Sequence, residues 1–557
     1  MKPKFAEGTT SALKQPQFHD IATSAIDNGM SLPALLIASC QRHANRPAFT
    51  NLGKTLTYGD IDRLSAQLAS YLRHDLKLTP GDRVAIMMPN VLQFPIALLG
   101  VQRADLVSVL INPLYTPREL RHQLADSGST VLIVLENFCS VVAESLSDTS
   151  IRQVITTGVG DALSWPKSWL VNFMLRYVKK AVPAYKLEKS IGWNAALAAG
   201  AGLPAVETLA KADDLVQLQY TGGTTGVSKG AVLAHTALMA NVAACEQWLG
   251  YALDAEKDIA LISLPLYHIA AFTNMMFAWV HGMHGVLITN PRDIPGLVAH
   301  FVQYRPAIFS GVNTLYDALL NSPEFAKVDF SGLKLSMQGG TALRRGTAEK
   351  WKQVTGKDVV EMYGLSETSA GITVNRWDSA NPVGSIGLPM PGVEVSLRNE
   401  TGEEVAIGEA GELCARGLQV TTGYWQRPEE TQEAFFADGW FRTGDIAKRG
   451  ERDYLFLLDR RKDMILVSGF NVFPNEIEDV VALHPGVLEA AAVGVPNDKT
   501  GEAVKLVIVR KDPALTEDDV RAHCRVHLTG YKQPRTVEFR DSLPKSAVGK
   551  ILRRELR

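Results

Sequence analysis

No Cys-x-x-Cys pair occurs in this chain, and its five cysteines, Cys40, Cys139, Cys245, Cys414 and Cys524, stand far apart. That spacing argues against a disulfide framework and a cysteine zinc cluster, and it favours a reducing compartment. Long apolar runs are missing too: the stretch 84–101 is broken by Pro89, Asn90, Gln93 and Pro95, which is too interrupted for a spanning helix. The first fifteen residues carry scattered lysines but no continuous apolar core, so no secretory signal is expected. Neither sign of charge dominates. The 57 basic residues face 59 acidic ones with no basic block, which disfavours nucleic acid as a partner. These absences leave a globular, cytoplasmic chain acting on small molecules, and a 46% hydrophobic content suffices for large cores.

Short apolar or β-branched runs at 84–88, 130–135, 259–264, 307–310 and 333–337 alternate with helical patterns at 58–72 and 117–127. That alternation predicts βαβ units with mainly parallel sheets, an α/β class. After about residue 384 the texture becomes Gly-rich and strand-like, as expected of a small β-rich subdomain. Five consecutive charged residues, Asp459 to Asp463, then precede a segment with a pattern of its own. It reads as a helix at 474–483 opened by proline, strands at 488–495 and 504–509, a helix from Thr516 whose Asp519 completes a capping box, and a strand at 536–539. This is a smaller α+β domain. The boundaries expected are 1–459 for the large domain, 460–462 for a hinge and 463–557 for the small domain.

Residues 220–230, Tyr-Thr-Gly-Gly-Thr-Thr-Gly-Val-Ser-Lys-Gly, carry the densest chemistry. Gly222, Gly223, Gly226 and Gly230 let the backbone approach an anion closely, so that amide N–H groups can point at phosphate oxygens. Thr221, Thr224, Thr225 and Ser228 add hydroxyl donors, and Lys229 adds a mobile cation. A Walker loop is a poor match, because Gly230 stands where a magnesium-binding Ser or Thr is required and residues 231–234 read as a strand. An ordinary Gly/Thr-rich turn is the plain alternative.

The loop resembles the phosphate-binding loop of the adenylate-forming superfamily, which includes acyl-CoA synthetases, luciferases and peptide-synthetase adenylation domains. Further motifs follow in family order: Tyr363-Gly364-Leu365-Ser366-Glu367-Thr368, Thr443-Gly444-Asp445, Asp459-Arg460-Arg461-Lys462-Asp463 and Pro544-Lys545-Ser546-Ala547-Val548-Gly549-Lys550. The likeness runs from about residue 45 to the C-terminus. It implies ATP, Mg2+ and CoA as cofactor or co-substrates. Thr221 to Gly226, Lys229, Gly339, Gly340, Tyr363, Gly364, Ser366, Asp445 and Arg460 are then expected to bind ATP or AMP, with Asp445 on the ribose. Lys550 and Lys229 would offset charge on the reacting oxygens, Glu367 and Thr224 would hold magnesium, Lys462 would be the pivot, and Gly469 would flank the pantetheine channel. Each has a plainer reading: a solvated lysine for Lys550, a helix cap for Glu367, an Asx-turn for Asp445, a core histidine for His268. The chain departs from the family pattern at Ala104-Asp105, at Gln338 and at Asp453-Tyr454.

The superfamily resemblance also implies a mobile C-terminal domain that alternates between two half-reactions. The segment 438–462 is similar to the extended segment that marks fatty acyl-CoA synthetases and 467–478 to bacterial long-chain-fatty-acid-CoA ligases in particular, which implies a long-chain fatty acid as substrate. His268 is then expected beside the substrate carboxylate, with Phe272 and Gly311 in an acyl pocket, although a Met/aromatic stripe such as 272–277 is more often plain core. Another acyl or aryl acid, transfer to a carrier protein, and a non-catalytic sensor are the rival readings. In 165–186, Trp169, Leu170, Phe173, Met174 and Tyr177 recur at helical spacing beside Lys167, Arg176, Lys179 and Lys180. This is the pattern either of a helix docking transiently on the inner face of the membrane or of an amphipathic helix packed on its own domain, the commoner case. Homodimer formation is left open.

Overall fold

Apolar β-branched runs become parallel strands when crossover helices cover both faces of the sheet. The computed structural model describes residues 21–221, 228–249, 252–341, 343–468, 470–545 and 551–557. Among these, the strands Ser190–Gly192, Gln153–Thr157, Val131–Leu135, Arg83–Met87, Val107–Leu110 and Leu215–Thr221 form a parallel block in that spatial order, closed by the antiparallel strand Lys229–Ala234. A second block runs Val359–Tyr363, Leu335–Gly339, Ile308–Gly311, Ile259–Ile262, His284–Leu287 and Pro47–Asn51, with antiparallel strands at both edges. The runs expected to be strands are strands.

The helices are punctuated by their own sequence. Tyr58–Ser70 and Pro117–Ser127 both start in complete capping boxes, Thr57 with Asp60 and Thr116 with Glu119. Each such cap contributes about 1 kcal/mol. Beyond the parallel blocks, Val393–Arg398, Ala410–Gly417, Phe441–Arg449 and Leu455–Arg460 make the expected small β-rich unit, an antiparallel sheet. The chain after residue 463 has a core of its own, in which Ile465, Ile477, Val481, Leu506 and Ile508 pack together. Its helices Pro474–Ala482 and Glu517–His527 pack on a sheet built around the long strands Val487–Asn497 and Gly501–Arg510. Thr516 and Asp519 form the predicted box.

Two departures from the family pattern have physical accounts. Asp105 sits in the left-handed region at φ 56°, and its carboxylate accepts from Thr208 Oγ1 at 2.6 Å and from the Leu209 amide at 3.0 Å. Those bonds compensate for a conformation that glycine would adopt freely. Arg452 and Asp453 likewise both have positive φ, so the turn there survives without glycine.

The segment 165–178 is not the packed amphipathic helix. Lys167–Phe173 continues as a wider turn over Met174–Val178, and neither element has a buried residue. Trp165, Trp169 and Tyr177 are 82%, 60% and 63% exposed, while Asn172 faces inward, donating to Asp161 and accepting from the Gly160 amide. The polar side holds the segment to the domain, and the aromatic side is turned to solvent.

Candidate functional site

Four neighbouring parallel strands end on one rim of the second block: Ile262, Gly311, Gly339 and Tyr363 are their last residues. In open parallel sheets ligands bind outside these carboxyl ends, because loops there leave a crevice lined by free backbone groups. The sequence-predicted residues gather on this rim. Gly311 and Gly339 terminate strands, Gly340 follows at φ 82°, Tyr363 and Gly364 begin the next loop, and His268 caps the helix Ile269–Val280 that follows Ile262. Thr221 ends the strand Leu215–Thr221 of the first block and is paired in register with Lys229.

The loop after Tyr363 is drawn unusually tight. A Cβ on Gly364 would lie 1.5 Å from the Ala370 carbonyl oxygen, and Ser369 and Ala370 both adopt positive φ. Such strained backbone persists only when its surroundings over-determine it. Here Thr273 donates to the Ser369 carbonyl and Asn241 to that of Gly371, while Ser366–Thr368 forms one 3-10 turn that presents Glu367.

Two buried carboxylates result, each bonded to a phenol. Tyr363 donates to Asp445 Oδ2 at 2.7 Å, and Arg460 Nε lies 3.3 Å from Asp445 Oδ1, since Asp445 and Arg460 are paired in register on adjacent strands. Tyr424 donates to Glu367 Oε1 at 2.9 Å. Burial raises the Glu367 carboxyl above its ordinary value, and the Tyr424 hydroxyl and the Arg460 charge pull it back. Lys462, beside Arg460, is lowered from the usual ammonium range by desolvation first and by that neighbouring cation second. Lys229 Nζ lies 5.2 Å from the centre of the Tyr424 ring and 3.8 Å from Glu430 Oε1. Tyr424 and Glu430 are the contributors that sequence reading missed. The pattern Gly423-Tyr424-Trp425 shows only a turn, and nothing local says that its phenol reaches a carboxylate 57 residues away.

On the helix behind His268, Ala271, Asn274 and Phe277 line a cavity of about 30 Å³ with Cys245, Leu253 and Met337, and Phe272, Met275 and Met276 are fully buried in the main core, to which Ala271 and Phe277 also belong. Gly311 adjoins Ser310, which lines that cavity. A space of this size holds roughly one or two water molecules, so an alkyl chain entering here has to displace side chains.

Gly222, Gly223, Thr224, Thr225, Gly226, Gly469 and Lys550 lie outside the described residues. Among those described, the rim carries buried polar atoms with no partner: His268 Nε2, Gln338 Oε1, Thr341 Oγ1 and Ser369 Oγ. Buried polar groups are ordinarily satisfied, so this set suits a polar ligand such as a nucleotide. Glu367, half-opposed by Arg460 and close to the strands Leu215–Thr221 and Lys229–Ala234, has the hard oxygen chemistry that suits Mg2+.

The chain matches the family model "AMP-binding enzyme" over residues 36–425 and "AMP-binding enzyme C-terminal domain" over 476–550. A long-chain-fatty-acid–CoA ligase of Salmonella typhimurium is 50% identical over 532 residues, 95% of either chain. Among solved structures, ATP-bound MatB from Rhodopseudomonas palustris is similar at TM-score 0.78 and 29% identity, covering 95% of this chain and 98% of that one. A benzoate CoA ligase from Burkholderia xenovorans LB400 is similar at TM-score 0.81 and 27% identity, covering 95% and 100%.

Burial alone holds the His268 imidazole down at about 4 from its ordinary 6.5. The unfolded chain therefore binds a proton below pH 6.5 that the folded chain refuses until about pH 4, so this group's contribution to stability is complete above 6.5 and is lost as pH falls through that window. Imidazole resonances from labelled protein should show His268 neutral throughout pH 5–8, and a midpoint near 6.5 would contradict its burial.

Proposed function

The chain belongs to the AMP-binding enzyme family, and from that premise we propose that it is an AMP-forming long-chain-fatty-acid–CoA ligase. The carrying observation is the convergence of two buried carboxylates and a lysine: Tyr363 bonds Asp445, and Tyr424 bonds Glu367 while lying under Lys229. The choice of acid is supported by the identity to the Salmonella ligase, which outweighs the lower identity to the benzoate ligase.

In the first half-reaction a carboxylate oxygen attacks the α-phosphorus of ATP and the bond to pyrophosphate breaks. In the second, the CoA sulfur attacks the acyl carbon and AMP departs. Both steps concentrate negative charge, so the site has to supply preorganised cations and donors. Asp445 holds the ribose hydroxyls, accepting from them as it does from Tyr363. Lys229, with the loop 221–226, meets the outer phosphates, and Lys550, carried on the small domain, meets the oxygens that react. His268, neutral by burial, offers its unpartnered Nε2 to the acid without adding a charge that would bind the substrate carboxylate too firmly. Magnesium, when bound, neutralises phosphate charge, and Glu367 with Thr224 would hold it. The small domain pivots about Lys462, withdrawing Lys550 and bringing Gly469 to the thiol channel. The acyl chain enters beside Ala271 and Phe277, where each added methylene contributes about 0.8 kcal/mol until the pocket ends.

The exposed aromatic segment meets the membrane from which such acids are drawn. Trp165, Trp169, Phe173 and Tyr177 would lie at the headgroup level, with Lys179 and Lys180 near anionic lipid. Among the described residues no helix is long and apolar enough to cross a membrane, so the contact is peripheral.

A panel of carboxylates assayed for CoA-dependent AMP release tests the reading, which requires long-chain acids to exceed benzoate and acetate. Preference for an aryl acid would overturn it. Replacing Lys550 with Ala should slow adenylation by about 10² to 10³, while thioester formation from supplied acyl-adenylate is largely spared; equal losses would refute the pivot. The double variant Trp169→Ser/Phe173→Ser should lose about 10-fold or more in affinity for vesicles containing anionic lipid, and unchanged co-sedimentation would remove the docking surface.

A further inference from the structure

Tyr424 touches two groups that no local motif connects. Its hydroxyl donates to Glu367, and its ring lies beneath the Lys229 ammonium. The short segment around it is stitched to both. The Thr421 amide donates to the Glu367 carbonyl at 2.6 Å, and Thr421 Oγ1 donates to the Val232 carbonyl at 2.7 Å. The Val232 amide donates to Gly423, the Trp425 amide donates to Gly230, and Ala231 bridges Tyr424 in antiparallel pairing. The Tyr424 amide itself donates to Thr431 Oγ1. The phenol is therefore fixed by backbone on both sides, and it is not free to follow the carboxylate if that group moves.

From this geometry we infer that Tyr424 is a positioning residue for the outer-phosphate end of the nucleotide site: its hydroxyl aims the Glu367 carboxylate for a divalent cation, and its ring holds Lys229 for the phosphates. The inference rests on the functional reading above and goes beyond it. Glu430, at 3.8 Å, is the anion that Lys229 faces, and because that pair is part-exposed and long it yields easily to a polyphosphate. The ring contact is the complementary half, since it steadies the ammonium without neutralising it. Asp445 and Tyr363 hold the nucleoside end and share no bond with Tyr424 among the described contacts; the two carboxylates share the Arg460 charge, but the Tyr424 hydroxyl is bonded to Glu367.

Calorimetric titration of the full chain with three ligands tests this: AMP, the β,γ-methylene analogue of ATP in chelator, and the same analogue with Mg2+. Tyr424→Phe keeps the ring and removes the hydroxyl. It should weaken the magnesium complex about 10-fold and change AMP and the metal-free analogue by less than about 2-fold, the scale of one charge-assisted hydrogen bond confined to the metal end. Tyr424→Ala should weaken the metal-free analogue about 3-fold as well, through the lost ring contact. An unchanged magnesium complex in Tyr424→Phe, or an equal loss for AMP, overturns the inference. Failure of the unmodified protein to bind any of the three would instead overturn the functional reading and this inference with it.

Discussion

Burying two carboxylates beside a site for polyphosphate is the constraint around which the rest of this chain is arranged. Glu367 is made harder to ionise by burial first and by the nearby Asp445 charge after it, and both carboxylates are almost fully removed from solvent. An unpaired buried charge is worth several kcal/mol of destabilisation, so each needs a donor that does not itself compete for the ligand. Tyr363 and Tyr424 fill that role as neutral phenols, and Arg460 supplies one shared positive charge. A lysine in either phenol's place would neutralise the carboxylate more fully and leave it less able to bind a sugar hydroxyl or a hard cation.

The backbone carries the second half of the arrangement. Because Gly364 allows the chain to pass within contact of Ala370, the loop after Tyr363 folds back sharply, and Glu367 is presented on a single turn. The positive φ values at Ser369 and Ala370 are held by bonds from Asn241 and Thr273, which belong to the helices His235–Leu249 and Ile269–Val280. Packing in the large core thus fixes the carboxylate, and the same helix Ile269–Val280 lines the small cavity with Ala271, Asn274 and Phe277.

Local chemistry was legible in the sequence and long-range pairing was not. The capping boxes at Thr57, Thr116 and Thr516 depend on residues three apart, and the parallel strands announce themselves as short apolar or β-branched runs. Asp445 was recognisable from its motif, but its bond to Tyr363 spans 82 residues and requires the tertiary fold. Tyr424 escaped for the same reason. The segment at 165–178 shows the opposite limit: its periodicity reveals two faces and cannot say which one turns inward, and Asn172 bonding to Asp161 decided the matter against the commoner arrangement. The stretch 272–277 was likewise visible as a Met/aromatic stripe, while the small cavity beside it was not.

The central claim is that an oxygen of the fatty acid displaces pyrophosphate from the α-phosphorus before any thiol reacts. Turnover of palmitate labelled with 18O in its carboxylate, with unlabelled ATP and CoA, tests this at the level of the bond. The account predicts one labelled oxygen in the phosphate of the released AMP and none in the pyrophosphate. Unlabelled AMP, or label recovered in orthophosphate, would contradict it.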